Sequence, residues 1–361
     1  MSISQYFARD YADARAKFLA AARGAGAVLR HYQNPLRGPN GERLFTDVAW
    51  YGPTGAERVL MTISGTHGNE GFCGSGIQVG WFECGLHKEL PASVALVAVH
   101  AVNPHGFAWV RRVTEDNVDL NRNFVDYAAP LPDNPGYCEL AEAICPAEWS
   151  DATCAASRAL FEAYAKKNGA MALQTALSGG QYSHPLGIFF GGHAPTWSRR
   201  TMIVIAKQCL ASAEVCAVVD YHTGLGPYGY GELISVLPPD GEAFARTRDW
   251  LDGEVTSPNL GSSRSVVVVG ANQHGIASAV PDTKCAAIAL EYGTFSLEEV
   301  LEALRADNWL HANGDLDSPL GRKIKNDVRR ALYPDKDDWR EMVWERAIDV
   351  NRKLLRGLAA S

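Results

Sequence analysis

The stretch SGTHGNE, at positions 64–70, sets a histidine three residues ahead of a glutamate in a glycine-rich turn. Imidazole nitrogen and carboxylate oxygen are both zinc donors, and His222 in YHTG offers a third. Two histidines and one carboxylate leave the fourth position of a tetrahedral zinc for water, as hydrolytic sites require. Zinc in such a site polarises a carbonyl and makes water more acidic. A carboxylate that does not ligate the metal can then take the proton, and Glu291, closing the apolar run CAAIAL, suits that task. Each residue alone has a plainer reading. H-x-x-E recurs by chance, His222 could be a structural histidine at a strand end, and Glu291 could be a salt-bridged surface acid. The chemistry needs all four to meet.

Their placement depends on the elements around them. ERVLMTI (57–63) is apolar and suits a buried strand, while GFCGSGIQVGWFECGL is long enough for a helix. His67 and Glu70 therefore fall in the turn between a strand tip and a helix, where ligands bind in open α/β sheets. The opening YADARAKFLAAARGAGAVLRHY has apolar positions at helical spacing and reads as one helix. LFTDVAWYG, ASVALVAVHAVNP, AVVDYH, ELISVLP, RSVVVVG and CAAIALEYG read as strands. Helices are expected at 139–167, 198–213, SLEEVLEALRADNWL and 337–358. Strands alternating with helices imply an α/β fold, a mixed, mostly parallel central sheet with helices on both faces. No repeat or linker divides the chain, so residues 1–361 read as a single domain with a long insertion at about 125–200.

RRVTEDNVDLNRNF (111–124), joined in order to HGNE, YHTG and ALEYG, resembles the zinc carboxypeptidase superfamily. The likeness covers 67–291, is weak between the motifs, and rests above all on the specific hexapeptide DLNRNF. It implies one Zn2+ per chain, held by His67, Glu70 and His222, with Glu291 as general base. Asn121 and Arg122 match the pair that holds a substrate carboxylate, and Arg112 matches the arginine that polarises the scissile carbonyl. Arg111, one residue off that offset, is the second choice. The pairings make independent sense, since arginine binds carboxylate as a fork and stabilises a growing oxyanion.

The span between Glu70 and His222 holds the loop SGGQYSHPLGIFFGGHAPTWS, unlike secreted digestive carboxypeptidases. The overall look is closest to a little-characterised bacterial branch of carboxypeptidase-like proteins. The HGNE spelling is also similar to the aspartoacylase and succinylglutamate desuccinylase branch, which cleaves N-acyl amino acids. The substrate is thus expected to be a small peptide or an N-acyl amino acid. The family's substrate-covering tyrosine has no clear position; Tyr228 and Tyr230 stand in a glycine-rich loop that could hold it. His105, His184, His193, Gln181 and Tyr182 could line the cleft, while His100, inside an apolar strand, reads as a core histidine.

Other classes fit less well. A pseudoenzyme that only binds carboxylates would be expected to have lost a ligand or the base, yet all four positions are filled. A serine hydrolase would need G-x-S-x-G, and the chain has only CGSG at 73–76. A net charge of −7 without a basic block argues against nucleic acid. No stretch approaches the roughly 18–20 apolar residues of a membrane span, and the charged start does not read as a signal peptide. Eight cysteines show no CxxC pair, and most lie in apolar or alanine-rich surroundings and read as buried free thiols, the usage of a reducing cytoplasm. The oligomeric state leaves no mark in the sequence.

Overall fold

The computed structural model describes residues 2–361. The strands are β1 (Val28–Arg37), β2 (Arg43–Tyr51), β3 (Arg58–Ile63), β4 (Val94–His100), β5 (Val215–Tyr228), β6 (Gly231–Ile234) and β7 (Lys284–Gly293). They form one seven-stranded sheet in the order β1-β2-β4-β3-β5-β7-β6. The central four, β4-β3-β5-β7, run parallel, whereas β1, β2 and β6 join antiparallel. Parallel strands covered on both faces should be apolar throughout, and every residue of β4 is buried.

The helices are α1 (Tyr11–Gly24), α2 (Gly71–Glu83), α3 (Pro104–Ala108), α4 (Pro135–Ile144), α5 (Asp151–Asn168) and α6 (Ala170–Ser178). They continue with α7 (Trp197–Leu210), α8 (Glu242–Trp250), α9 (Asn272–Ala279), α10 (Leu297–Asn313), α11 (Pro319–Leu332) and α12 (Asp337–Ala359). Strand side chains alternate between faces. Leu60, Leu96 and Val219 pack with Phe18 of α1, Phe72 of α2 and Val343 of α12. Val59, Met61 and Val97 pack on the other face with Met202 and Ile205 of α7, Phe244 of α8 and Ile276 of α9. A separate apolar cluster joins α4, α5 and α6 to α10 and α11. This is the mixed, mostly parallel sheet with helices on both faces that the pattern implied.

Two local expectations fail. The opening helix stops at Gly24, and Val28–Arg37 forms edge strand β1 against β2. Gly26, with φ of 81°, takes the left-handed conformation that turns the chain out of the helix. RSVVVVG is not a strand: the sheet ends at β6, and 264–270 is an irregular loop. Val266 and Val268 of that loop line a cavity at the strand ends, while Val267 and Val269 face solvent.

Candidate active site

Strands β3, β5 and β7 lie side by side, and their carboxyl ends carry the candidate chemistry. His67 follows β3 and caps a short 3₁₀ turn, Gly68–Glu70, that leads into α2. The turn is tight because Gly68 meets the backbone of Gly106 and Phe107, where any Cβ would clash. His222 lies in β5, and Glu291 stands directly opposite it in β7.

The three expected ligands converge. His67 Nδ1 lies 2.9 Å from Glu70 Oε1, and His222 Nδ1 lies 2.9 Å from Glu70 Oε2. The two Nδ1 atoms are 3.2 Å apart, and all three residues are buried. A tetrahedral site with bonds of about 2.0–2.1 Å has ligand atoms roughly 3.3 Å apart, so the donor set fits zinc. Each histidine turns its second nitrogen to a carboxylate. His67 Nε2 meets Asp119 Oδ1 at 3.1 Å, and His222 Nε2 meets Asp220 Oδ2 at 2.9 Å. Such partners fix the tautomer and ring orientation of metal-binding histidines. Asp220 is anchored in turn by Thr66 Oγ1 at 2.9 Å and Asn272 Nδ2 at 3.3 Å.

The two glutamates are shifted in opposite directions. Burial pushes the Glu70 carboxyl up, but the facing histidines outweigh it and hold Glu70 well below the usual range. Burial, and then the neighbouring Glu70, push Glu291 up to about 8. Its Oε1 accepts a hydrogen bond from the Leu225 N–H at 3.0 Å. Opposed shifts of this kind separate a carboxylate suited to ligation from one suited to exchanging a proton.

The arginines also divide. Arg112 donates from Nε to Asp119 at 2.9 Å and from Nη1 to Glu70 at 2.9 Å, so its guanidinium borders the ligand cluster. Arg111 turns away, with Nη2 donating to Asn117 at 2.9 Å and Nε 3.6 Å from Asp307. Arg122 donates to main-chain oxygens, to Asn121 at 3.0 Å and Ser178 at 2.5 Å. Among the described residues it forms no ion pair, because Asp119 is engaged by Arg112, His67 and the Asn121 N–H. Burial lowers its pKa, with Asp119 opposing. Asn121 accepts from the Asn272 N–H at 2.9 Å through Oδ1, and its Nδ2 lies 3.4 Å from His222 Nε2.

A cavity of about 180 Å³ gathers His67, His222, Glu291, Arg112, Asn121 and Arg122. Its remaining wall is mostly apolar, with Leu177, Val266, Leu301 and Leu304 among the lining residues. Phe189 also lines it, and its ring lies under both arginines, 5.1 Å from the Arg112 guanidinium and 5.7 Å from that of Arg122. Its φ of 55° is rare for a bulky residue, so the surrounding packing holds it there.

Asp220 and Phe189 had no sequence assignment. Asp220 was findable, since D-Y-H in a strand puts the acid and the histidine on one face. Tyr228 is bonded to Asp338 at 3.0 Å, Tyr230 is exposed, and neither lines the cavity. His105, His184 and His193 also lie outside its lining. Gln181 pins its own loop, and the Tyr182 hydroxyl donates to the Arg122 carbonyl at 2.5 Å. His100 sits in the core, 2.9 Å from Ser75 Oγ and stacked on Phe18.

The family described as "Protein of unknown function (DUF2817)" matches residues 7–346. No curated protein matches the chain. Carboxypeptidase A from Helicoverpa armigera is similar in structure, with a TM-score of 0.49 and 11% identity over 91% of this chain and 75% of that one. An aspartoacylase family protein from Mesorhizobium loti has a TM-score of 0.39 and 17% identity over 81% of this chain and 68% of its own. For murein-tripeptide amidase from Escherichia coli O157 the values are 0.37, 16%, 81% and 91%. Likenesses this distant say nothing of activity, which must be argued from the site.

Proposed function

Because the chain belongs to the DUF2817 family, we propose its function from its own site: a zinc-dependent hydrolase that cleaves an amide bond next to a carboxylate-bearing residue, carboxypeptidase-like. One observation carries this reading. His67 and His222 of a zinc-compatible cluster with Glu70 line one cavity together with Glu291, a buried acid outside the cluster, and Arg122, which has no carboxylate partner among the described residues.

His67, Glu70 and His222 would hold the metal, with Asp119 and Asp220 orienting the two imidazoles. Zinc held there supplies a Lewis acid that polarises the carbonyl and acidifies water. Glu291 takes the proton of the attacking water at its carboxylate and returns it to the departing amine. Arg112, beside Glu70, faces the oxyanion as it grows. Arg122 binds the substrate carboxylate as a fork, with Phe189 supporting the guanidinium.

The test is a screen of zinc-loaded protein against dipeptides and N-acyl amino acids, with products identified by mass. Release of a free C-terminal amino acid is the expected result. Release of acetate or succinate instead would assign the deacylase chemistry of the aspartoacylase branch. Binding without hydrolysis in both series would leave a carboxylate-binding protein and sink the enzymatic reading.

A further inference from the structure

Cys216 of β5 and Cys285 of β7 stand opposite each other in register, and their sulfurs are 3.0 Å apart. Both are free thiols. Opposite residues on neighbouring strands lie about 4.7–4.9 Å apart, within the roughly 4.4–6.8 Å Cα separation that a disulfide spans. The spacing of paired strands is therefore compatible with a bridge between the two sulfurs.

Their surroundings favour the chemistry. The sulfur contact with Cys216 holds the Cys285 thiol below its ordinary value against the opposing effect of burial, and Arg246 of α8 adds to the lowering. Arg246 is fixed there by donating to the Cys285 carbonyl at 3.1 Å. Cys216 is pushed the other way by the same sulfur contact. One sulfur inclined to thiolate beside a protonated partner is the arrangement of a reactive dithiol. Cys285 keeps 5% exposure and follows the exposed Lys284 at the strand start, whereas Cys216 is fully buried. A small oxidant reaches Cys285 first.

We infer that Cys216 and Cys285 form a modification site, a dithiol that a peroxide closes to a disulfide. The Cys285 thiolate attacks one oxygen of hydrogen peroxide, breaking the O–O bond; the departing oxygen takes a proton and leaves as water. The Cys216 sulfur then attacks the resulting sulfenic sulfur. Its own proton joins the expelled hydroxyl as a second water. Two thiols are oxidised to one disulfide, and one peroxide is reduced to two waters. The bridge ties β5 to β7 six positions before His222 and Glu291. It lies at the end of the sheet away from the candidate site, so it staples the strands and leaves the metal ligands in place.

The experiment treats the full chain with hydrogen peroxide, blocks remaining thiols by alkylation, and maps the peptides. The expected product is a peptide pair linked through Cys216 and Cys285 and released by dithiothreitol. The oxidised protein should also have a raised thermal midpoint and unchanged zinc content. In Cys216→Ser the linked pair should vanish and Cys285 should stop at a sulfenic acid that dimedone traps. Should that variant fail to fold, the wild-type map still decides. Cys216 and Cys285 remaining alkylatable after the exposed Cys84 and Cys138 have been oxidised would overturn the inference.

Discussion

His222 and Glu291 face each other across the parallel pairing of β5 with β7. The relationship is made by main-chain hydrogen bonds, so the sheet itself sets how far the candidate base stands from a candidate ligand. Period two puts Asp220 on the same face as His222, and β3 delivers His67 from the next strand. Sites built on strands are held more precisely than sites built on loops. That rigidity makes the roles of single side chains separable by mutation.

Zinc content should be about one per chain, and His67→Ala or His222→Ala should lose most of it. Asp220→Asn removes no ligand but frees the His222 ring, so metal affinity should fall on the order of 10–100-fold. Titration with a zinc-competing dye measures all three. Wild-type affinity in either histidine variant would remove the metal assignment.

Glu291→Gln should keep zinc and fold while turnover falls by roughly 10²–10⁴-fold, because the amide cannot carry the proton. Metal analysis beside steady-state kinetics checks this. If zinc and activity both survive, another group is the base.

The strand-end motifs were legible because they combine short-range turn chemistry with apolar runs that only a buried sheet explains. The sheet type followed from that, and so did the meeting of His67, Glu70 and His222 at the strand ends, with Glu291 opposite His222. Strand β1 was not legible: Leu29 and Tyr32 continue the helical spacing of α1, and only pairing with β2 makes the segment a strand. RSVVVVG misled in the opposite sense, because its β-branched run serves the cavity wall rather than the sheet. Phe189 could not be read at all, since nothing local ties a loop aromatic to arginines some 70 residues earlier. Arg111 and Arg112 are neighbours whose side chains part, and their partners Asp307 and Glu70 are set by tertiary structure.

Acid should destabilise the fold through histidines held neutral. Burial lowers His100 to about 4, His105 to about 4 and His311 to about 3, against about 6.5 for an unfolded chain. Below 6.5 the unfolded chain takes up protons that the folded one refuses. Stability is therefore present above that pH and lost as pH falls toward 4, by up to about 1.4 kcal/mol per pH unit per histidine. His100 is the most buried of the three. The urea midpoint should fall less between pH 7 and pH 5 in His100→Gln than in wild type, with EDTA present so that metal loss does not contribute. Identical slopes would show that His100 protonates without cost.

Arg122 should govern recognition of a substrate carboxylate. Its guanidinium is buried, lines the cavity and, among the described residues, donates only to the carbonyls of Asn121 and Ser178. A desolvated cation without an anion is costly, and an incoming carboxylate would offset that cost. The plainer alternative, a loop-pinning pair with Asp119, does not form, since Arg112 and His67 occupy that acid. Removing the charge-assisted contact should cost on the order of 2–5 kcal/mol in transition-state binding. Arg122→Lys keeps the charge but loses the fork and the stacking on Phe189, so it should restore only part of the activity. The measurement compares kcat/KM for a substrate bearing a free carboxylate with that for its amide, in wild type and in Arg122→Ala. Wild type should strongly prefer the free acid, and Arg122→Ala should erase the preference chiefly by slowing the acid. If wild type cleaves both equally well, Arg122 serves only to hold the chain between Asn121 and Ser178.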